Sequence, residues 1–203
     1  MSIGQRKIAV AVLLIGFGVT SLAAQTRSAS GETASQPAAE KAATNTAPGM
    51  KVQLLAEDKA NGTRTWAVIF APGDDPMVGL GNFAAEHNIH AAQITGIGSL
   101  ESAEIEWLNH QTKKFKAMTI THQHEVLSFL GNISVYQNKP VVHVHVALGD
   151  GSGHAHGGHL ITAKVWPTLE VIVNEFPSAM VKRPAPELGI TVIDPSLGKP
   201  PAQ

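Results

Sequence analysis

A run of β-branched and apolar residues in the second half of the chain carries two histidines, His143 and His145. The run, residues 142–150, has the composition of a β-strand. Because side chains alternate across a strand, both imidazoles point to one face, with their Cα atoms roughly 6–7 Å apart. This spacing allows the two rings to bind one metal ion.

A third histidine, His159, follows Gly157 and Gly158 and precedes another β-branched run, residues 160–165. A hairpin across the intervening Gly-, Asp-, Ser- and His-rich loop would place His159 beside the first pair. Three histidines with an open fourth position are typical of a catalytic or ligand-binding zinc site. The alternative is a set of hydrogen-bonded structural histidines. Since apolar residues flank the pair at every position, we expect this strand to be buried on both faces.

The neighbouring histidines and one acid have more ordinary interpretations. His122 and His124 repeat the spacing of two and could form part of a second site, although we expect them to be exposed to solvent. For His154 and His156 an exposed polar loop is favoured over metal capture. Asp150 ends the histidine strand and is expected to form the loop turn.

Two acids within predicted strands are the candidate catalytic residues. Glu170 lies in an apolar run, residues 168–173, and Glu125 begins another strand. Each carboxylate either faces inward, as a metal ligand or general acid–base, or faces water. Period-two alternation does not decide between these alternatives.

The first 23 residues have the pattern of a secretory signal peptide. Arg6 and Lys7 precede an apolar stretch, residues 8–19, and a small-residue cleavage site at 21–23. A membrane anchor is the alternative, but a span needs about 18 or more apolar residues. We therefore predict a periplasmic or secreted protein. Cleavage removes two of the 15 basic residues, which leaves 13 against 16 acidic ones and a net charge of −3.

The chain contains no cysteine. Disulfides, cysteine nucleophiles and cysteine-ligated zinc are therefore excluded, and any metal must be held by His, Asp or Glu. Residues 24–49 are poor in large apolar side chains and are predicted to be a disordered linker. We predict one domain at 50–195, followed by a flexible tail at 196–203.

The predicted secondary structure within this domain is rich in strands and has one main helix. The helix starts at Pro76, is capped by Asp74 or Asp75, and has an apolar face that includes Leu80 and Phe83. The predicted strands cover 52–55, 65–70, 91–95, 101–109, 113–122, 125–130, 133–137, 141–148, 160–165, 169–176 and 190–193. This pattern indicates an α+β fold with a mixed, largely antiparallel sheet.

Five short motifs occur in an order that resembles the PPC domain, which plants and prokaryotes share. They are residues 72–74 (PGD), 94–100 (ITGIGSL), 125–133 (EVLSFLGNI), 143–146 (HVHV) and 157–160 (GGHL). The resemblance spans roughly residues 51–194. It implies a fold that assembles as a trimer and that is related to acetolactate decarboxylase, in which a His-x-His pair and a later histidine hold zinc.

By that resemblance His143, His145 and His159 are the implied metal ligands. The expected protein is an exported homotrimer that binds a divalent metal, with zinc favoured, and that acts as a lyase or hydrolase on a small molecule. A non-catalytic binding module is the alternative. Because imidazoles must be neutral to bind a metal, affinity is expected to fall below about pH 6.5.

DNA binding is a third reading, since plant members of the family join this domain to a basic AT-hook of the Arg-Gly-Arg-Pro type. Here Arg183-Pro184 is the only Arg-Pro pair and lacks that basic context. A net charge near −3 provides no basic surface for phosphate contacts. The sequence therefore disfavours nucleic acid as a partner.

Overall fold

The computed structural model describes residues 47–198. The predicted signal peptide and most of the predicted linker lie outside these residues, as does most of the predicted tail. Within the described part of the chain, no helix has the length and apolar character needed to cross a membrane.

The chain forms nine strands and one α-helix in the described region. The elements are β1 (Lys51–Asp58), β2 (Thr63–Phe70), α1 (Pro76–Glu86), β3 (Ala92–Leu108), β4 (Phe115–Ile120), β5 (His124–Tyr136), β6 (Lys139–Gly149), β7 (Ala155–Glu175), β8 (Lys182–Ala185) and β9 (Ile190–Ile193). All pairings between these strands are antiparallel, which confirms a largely antiparallel sheet with one main helix but not the expectation that the sheet is mixed.

Seven strands form one sheet in the order β1-β2-β7-β6-β5-β3-β4, and β7 also pairs with β3. One edge of β7 follows β3 from Glu175 to His159. Its other edge pairs first with β6 and later with β2. These pairings close β3, β5, β6 and β7 into a ring, whose interior is filled by apolar side chains such as Phe129, Val144 and Leu160.

The helix lies against β6 and β7 and begins as the sequence predicts. Asp75 is the N-cap, and its carboxylate accepts hydrogen bonds from the amides of Met77 and Val78. The buried carboxylate of Asp74 instead accepts from the amides of Gly49 and Ala71. Asp75 therefore caps the helix, and Asp74 holds the preceding loop.

The two longest strands replace pairs of shorter predicted ones. The predicted turn at residues 96–99 is a bulge within β3, and β7 runs unbroken through residues 166–168. Gly98 permits this bend, since its φ is +149° and an added Cβ would lie 2.3 Å from the carbonyl oxygen of Thr168. Only glycine allows β3 and β7 to approach this closely while both continue.

Close backbone approach also explains Gly131, which lies opposite Val144 in the β5–β6 ladder. A Cβ on Gly131 would lie 2.1 Å from the carbonyl oxygen of His143. The glycine therefore sets the spacing between β5 and the strand that carries two of the histidines.

We expect Gly131→Ala to destabilise the protein by about 1–3 kcal/mol, because the added methyl group would push β5 away from β6. Gly151→Ala is the matched control, since a Cβ there meets no atom within 4 Å. Urea unfolding followed by circular dichroism measures both. Equal midpoints for the two variants would contradict the proposed role of Gly131.

Candidate metal centre

Strands β6 and β7 bring His143, His145 and His159 together. His145 is the direct partner of His159 in the ladder, and His143 lies two positions further along β6. The ring centroids are 5.1 Å apart for His143 and His145, 4.9 Å for His143 and His159, and 5.5 Å for His145 and His159. One ring nitrogen from each lies within 4.8 Å of the others. We call these residues the histidine triad.

The alternation of β6 places the triad on the face opposite the core. Val144, Val146 and Leu148 are buried inside the ring of strands, whereas His145 is exposed and His143 is half-buried. The expectation that this strand is buried on both faces is therefore wrong for the single chain. The histidines lie on the outer face because side chains alternate along the strand and the apolar residues next to the histidines point inward.

Burial keeps two of the three rings neutral at physiological pH. The pKa values of His143 and His159 are each lowered to about 4, chiefly because removal from water disfavours the imidazolium. Nearby positive charge, including that of Lys182, lowers both further. Two neutral imidazoles offer free lone pairs to a metal, so the donor set fits a divalent transition ion. Metal affinity, which the sequence led us to expect to fall below about pH 6.5, should therefore begin to fall only at a lower pH.

Lys182 is a residue of this region that the sequence did not indicate. It begins β8, which follows an isolated bridge between Val181 and Val135 of β5. Burial lowers the pKa of its ammonium group. Local sequence carries no signal for it, because only the tertiary bridge between distant segments places this cation beside the triad.

The structure does not bring the candidate catalytic acids to the triad. Glu170 is exposed and lies eleven positions along β7 from His159, where it pairs with Ile97 of β3. Glu125 is also exposed and pairs with Gly149 at the far end of the β5–β6 ladder. Neither carboxylate belongs to the group of side chains that converge with the histidines.

The other histidines follow the predictions in part. His122, His154 and His156 are exposed, as expected. His124 is buried, with 2% of its surface exposed, so its predicted solvent exposure is wrong. It shares the inward parity of Val126 at the start of β5. Asp150 forms the predicted turn, since its carboxylate accepts from the amides of Ser152 and His154.

Comparison with known proteins gives a consistent picture. The family model described as the Plants and Prokaryotes Conserved (PCC) domain matches residues 57–177. No curated protein matches the chain.

Three solved structures resemble the chain over most of their length. A plant- and prokaryote-conserved protein from Pyrococcus horikoshii is 26% identical, with a TM-score of 0.61, covering 71% of this chain and 94% of its own. A metal-containing protein from Archaeoglobus fulgidus is 30% identical, with a TM-score of 0.61, covering 64% and 92%. A Bacteroides thetaiotaomicron protein, provisionally named as DNA-binding, is 24% identical, with a TM-score of 0.64, covering 70% and 96%. This last likeness shows the fold alone.

The lowered pKa values predict a pH-dependent stability of the metal-free protein. Between pH 6.5 and about 4, the unfolded chain binds protons at His143 and His159 that the folded chain does not. The free energy of unfolding should therefore fall as the pH falls through this window. Replacing His159 by Gln removes one such group and should reduce the drop in Tm between pH 7.5 and pH 4.5.

The matched control is His110→Gln, which removes an exposed histidine from a loop. Thermal unfolding in the presence of a chelator measures all three proteins. If Tm falls by the same amount in His159→Gln and the wild type over this range, the explanation by burial of the His159 imidazole is wrong.

Proposed function

The chain belongs to the Plants and Prokaryotes Conserved domain family, and from that premise we propose that it binds a divalent transition metal through the histidine triad, with zinc favoured. The observation that carries the proposal is the convergence of one nitrogen from each of His143, His145 and His159 within 4.8 Å. All three donors are imidazoles, which suit Zn, Ni or Cu better than Mg or Ca. The metal-containing relative from Archaeoglobus fulgidus adds support.

The residues around the triad favour an anionic small molecule as the ligand. A bound divalent ion would polarise a carbonyl group or lower the pKa of a water molecule. Lys182 adds a second, half-buried positive charge that faces His143 and His159. Two neighbouring cations repel each other, and an anion between them relieves that repulsion. A carboxylate-bearing substrate would meet both charges at once.

Catalysis of a lyase or hydrolase reaction stays a prediction on this basis. Glu125 and Glu170 are outside the group of side chains that converge at the triad, so in the single chain a proton would have to move through other groups. A binding module without turnover uses the same metal and the same Lys182. The provisional DNA-binding names of relatives leave nucleic acid open as a partner. Export remains a proposal that depends on the pattern of residues 1–23.

The test of the triad is the metal content of His145→Ala. His145 is exposed, so the substitution removes a ligand with little cost to folding. After equilibrium dialysis against ZnCl₂, elemental analysis should show one ion per chain fewer than in the wild type. His110→Ala, the control, should retain the wild-type content. Equal content in His145→Ala and the wild type would overturn the proposed function.

We also propose that the chain assembles as a homotrimer, as the family resemblance implies. An open groove of about 340 Å³ on the outer face is lined mostly by apolar side chains from three strands, together with the carboxylate of Glu170. Among them Ile97, Leu127 and Leu130 are 67%, 62% and 54% exposed. Contiguous exposed apolar side chains of this kind mark interaction surfaces. Leu130 is the ladder partner of His145, so subunit contact here would also shield the triad from water.

Leu130→Glu is expected to convert the trimer to monomers, because the substitution would bury an unpaired carboxylate in each contact. Light scattering coupled to gel filtration measures the mass. Leu188→Glu is the control, since Leu188 is 42% exposed but lies outside the groove. A mass for Leu130→Glu equal to that of the control would contradict an interface at this face.

A further inference from the structure

A second group of potential ligands lies at one end of the β6–β7 hairpin. His124 at the start of β5, Asp150 after β6 and His156 near the start of β7 each offer a ligand atom within 4.8 Å of the others. The ladders explain the convergence, because Glu125 pairs with Gly149 and Leu148 pairs with His156. The three residues are therefore neighbours on adjacent strands.

His124 presents a buried nitrogen that has no hydrogen-bond partner. The side chain is 98% removed from solvent, and its Nδ1 lies 2.8 Å from the carbonyl oxygen of His122. A carbonyl only accepts, so Nδ1 carries the proton and donates it, and Nε2 is left with a free lone pair. Within the described residues Nε2 has no partner. Such a backbone contact is the usual way in which a protein orients a metal-binding imidazole.

The two carboxylate oxygens of Asp150 make different contacts. Oδ1 accepts from the amides of Ser152 and His154 and from the Ser152 hydroxyl, which holds the loop. These hydrogen bonds fix the orientation of the carboxylate group. Oδ2 faces the histidines, 4.0 Å from His156 Nε2 and 3.5 Å from His154 Nδ1. One oxygen thus remains available as an anionic ligand.

This group lies on the other side of the sheet from the histidine triad. His156 has the parity of Leu160, which points into the ring of strands, whereas His159 has the outward parity. Asp150 likewise follows the inward parity of Leu148. Because the backbone of β6 and β7 separates the two sets, one ion cannot be shared between them.

We propose that His124, Asp150 and His156 form a second divalent-metal site, at the end of the core and independent of the triad. Two imidazole nitrogens and one carboxylate oxygen suit Zn²⁺ or Fe²⁺, and they disfavour Mg²⁺ and Ca²⁺, which prefer all-oxygen ligands. A metal would satisfy the buried nitrogen of His124. Left unpaired, that group weakens the fold by the desolvation of a polar atom.

The test compares two exposed histidines, His156 and His110, in a chain whose triad is dismantled by His145→Ala and His159→Ala. After dialysis against ZnCl₂ this chain should retain one Zn²⁺ per chain. Adding His156→Ala should weaken its binding by at least about tenfold. Adding His110→Ala should leave it unchanged, because His110 is an exposed residue of another loop and is outside the converging group.

Three outcomes would overturn the proposal. They are absence of Zn²⁺ in the triad-less chain, equal losses in the His156→Ala and His110→Ala variants, or no loss with His156→Ala. If the triad-less chain does not fold, His156→Ala in the wild-type chain gives the same answer, with a content that falls from two ions to one. Since His145→Ala alone removes only the triad's ion, failure of one site is distinguishable from failure of the other.

Discussion

The antiparallel ladder between β6 and β7 is the constraint on which the rest of the site depends. It fixes which side chains of the two strands share a face, because alternation leaves no freedom once the pairing of His145 with His159 is set. A slip by one residue would turn Val144 and Val146 outward and the histidines into the core. Burial of those valines thus holds the register, and the register in turn aligns the imidazoles.

The same ladder gives the two sides of the hairpin different chemistry. The outer side carries three imidazoles beside Lys182, in a region bordered by exposed apolar residues. The inner side ends in the buried imidazole of His124, the carboxylate of Asp150 and the exposed imidazole of His156. Glycines keep the strands close where side chains would separate them, as at Gly131 and Gly98. Stability and site geometry therefore depend on the same backbone contacts.

Sequence reasoning reached the strand-rich fold, the helix with its Pro76 start, and the three histidines that converge, since all are encoded in local patterns. It divided β3 at Gly96–Gly98 because glycines usually mark turns, whereas here they permit a bend within a continuous strand. Sequence reasoning predicted that His124 is exposed to solvent, because a His-x-His pattern at a strand junction carries no signal of burial. Lys182 was not identifiable, since its position depends on a bridge between segments about 45 residues apart, Val135 and Val181.

Lys182 has a consequence for how the triad would respond to its surroundings. The positive charge of Lys182 disfavours a metal ion nearby, and a bound anion cancels this effect. Binding of the metal ion and binding of the anion are then thermodynamically coupled. Each then raises the affinity for the other by the same factor, because such linkage is reciprocal. If the triad binds a metal as proposed, the protein would hold that metal loosely when no anion is present and firmly when an anion binds, so occupancy of the centre would report the concentration of the anion.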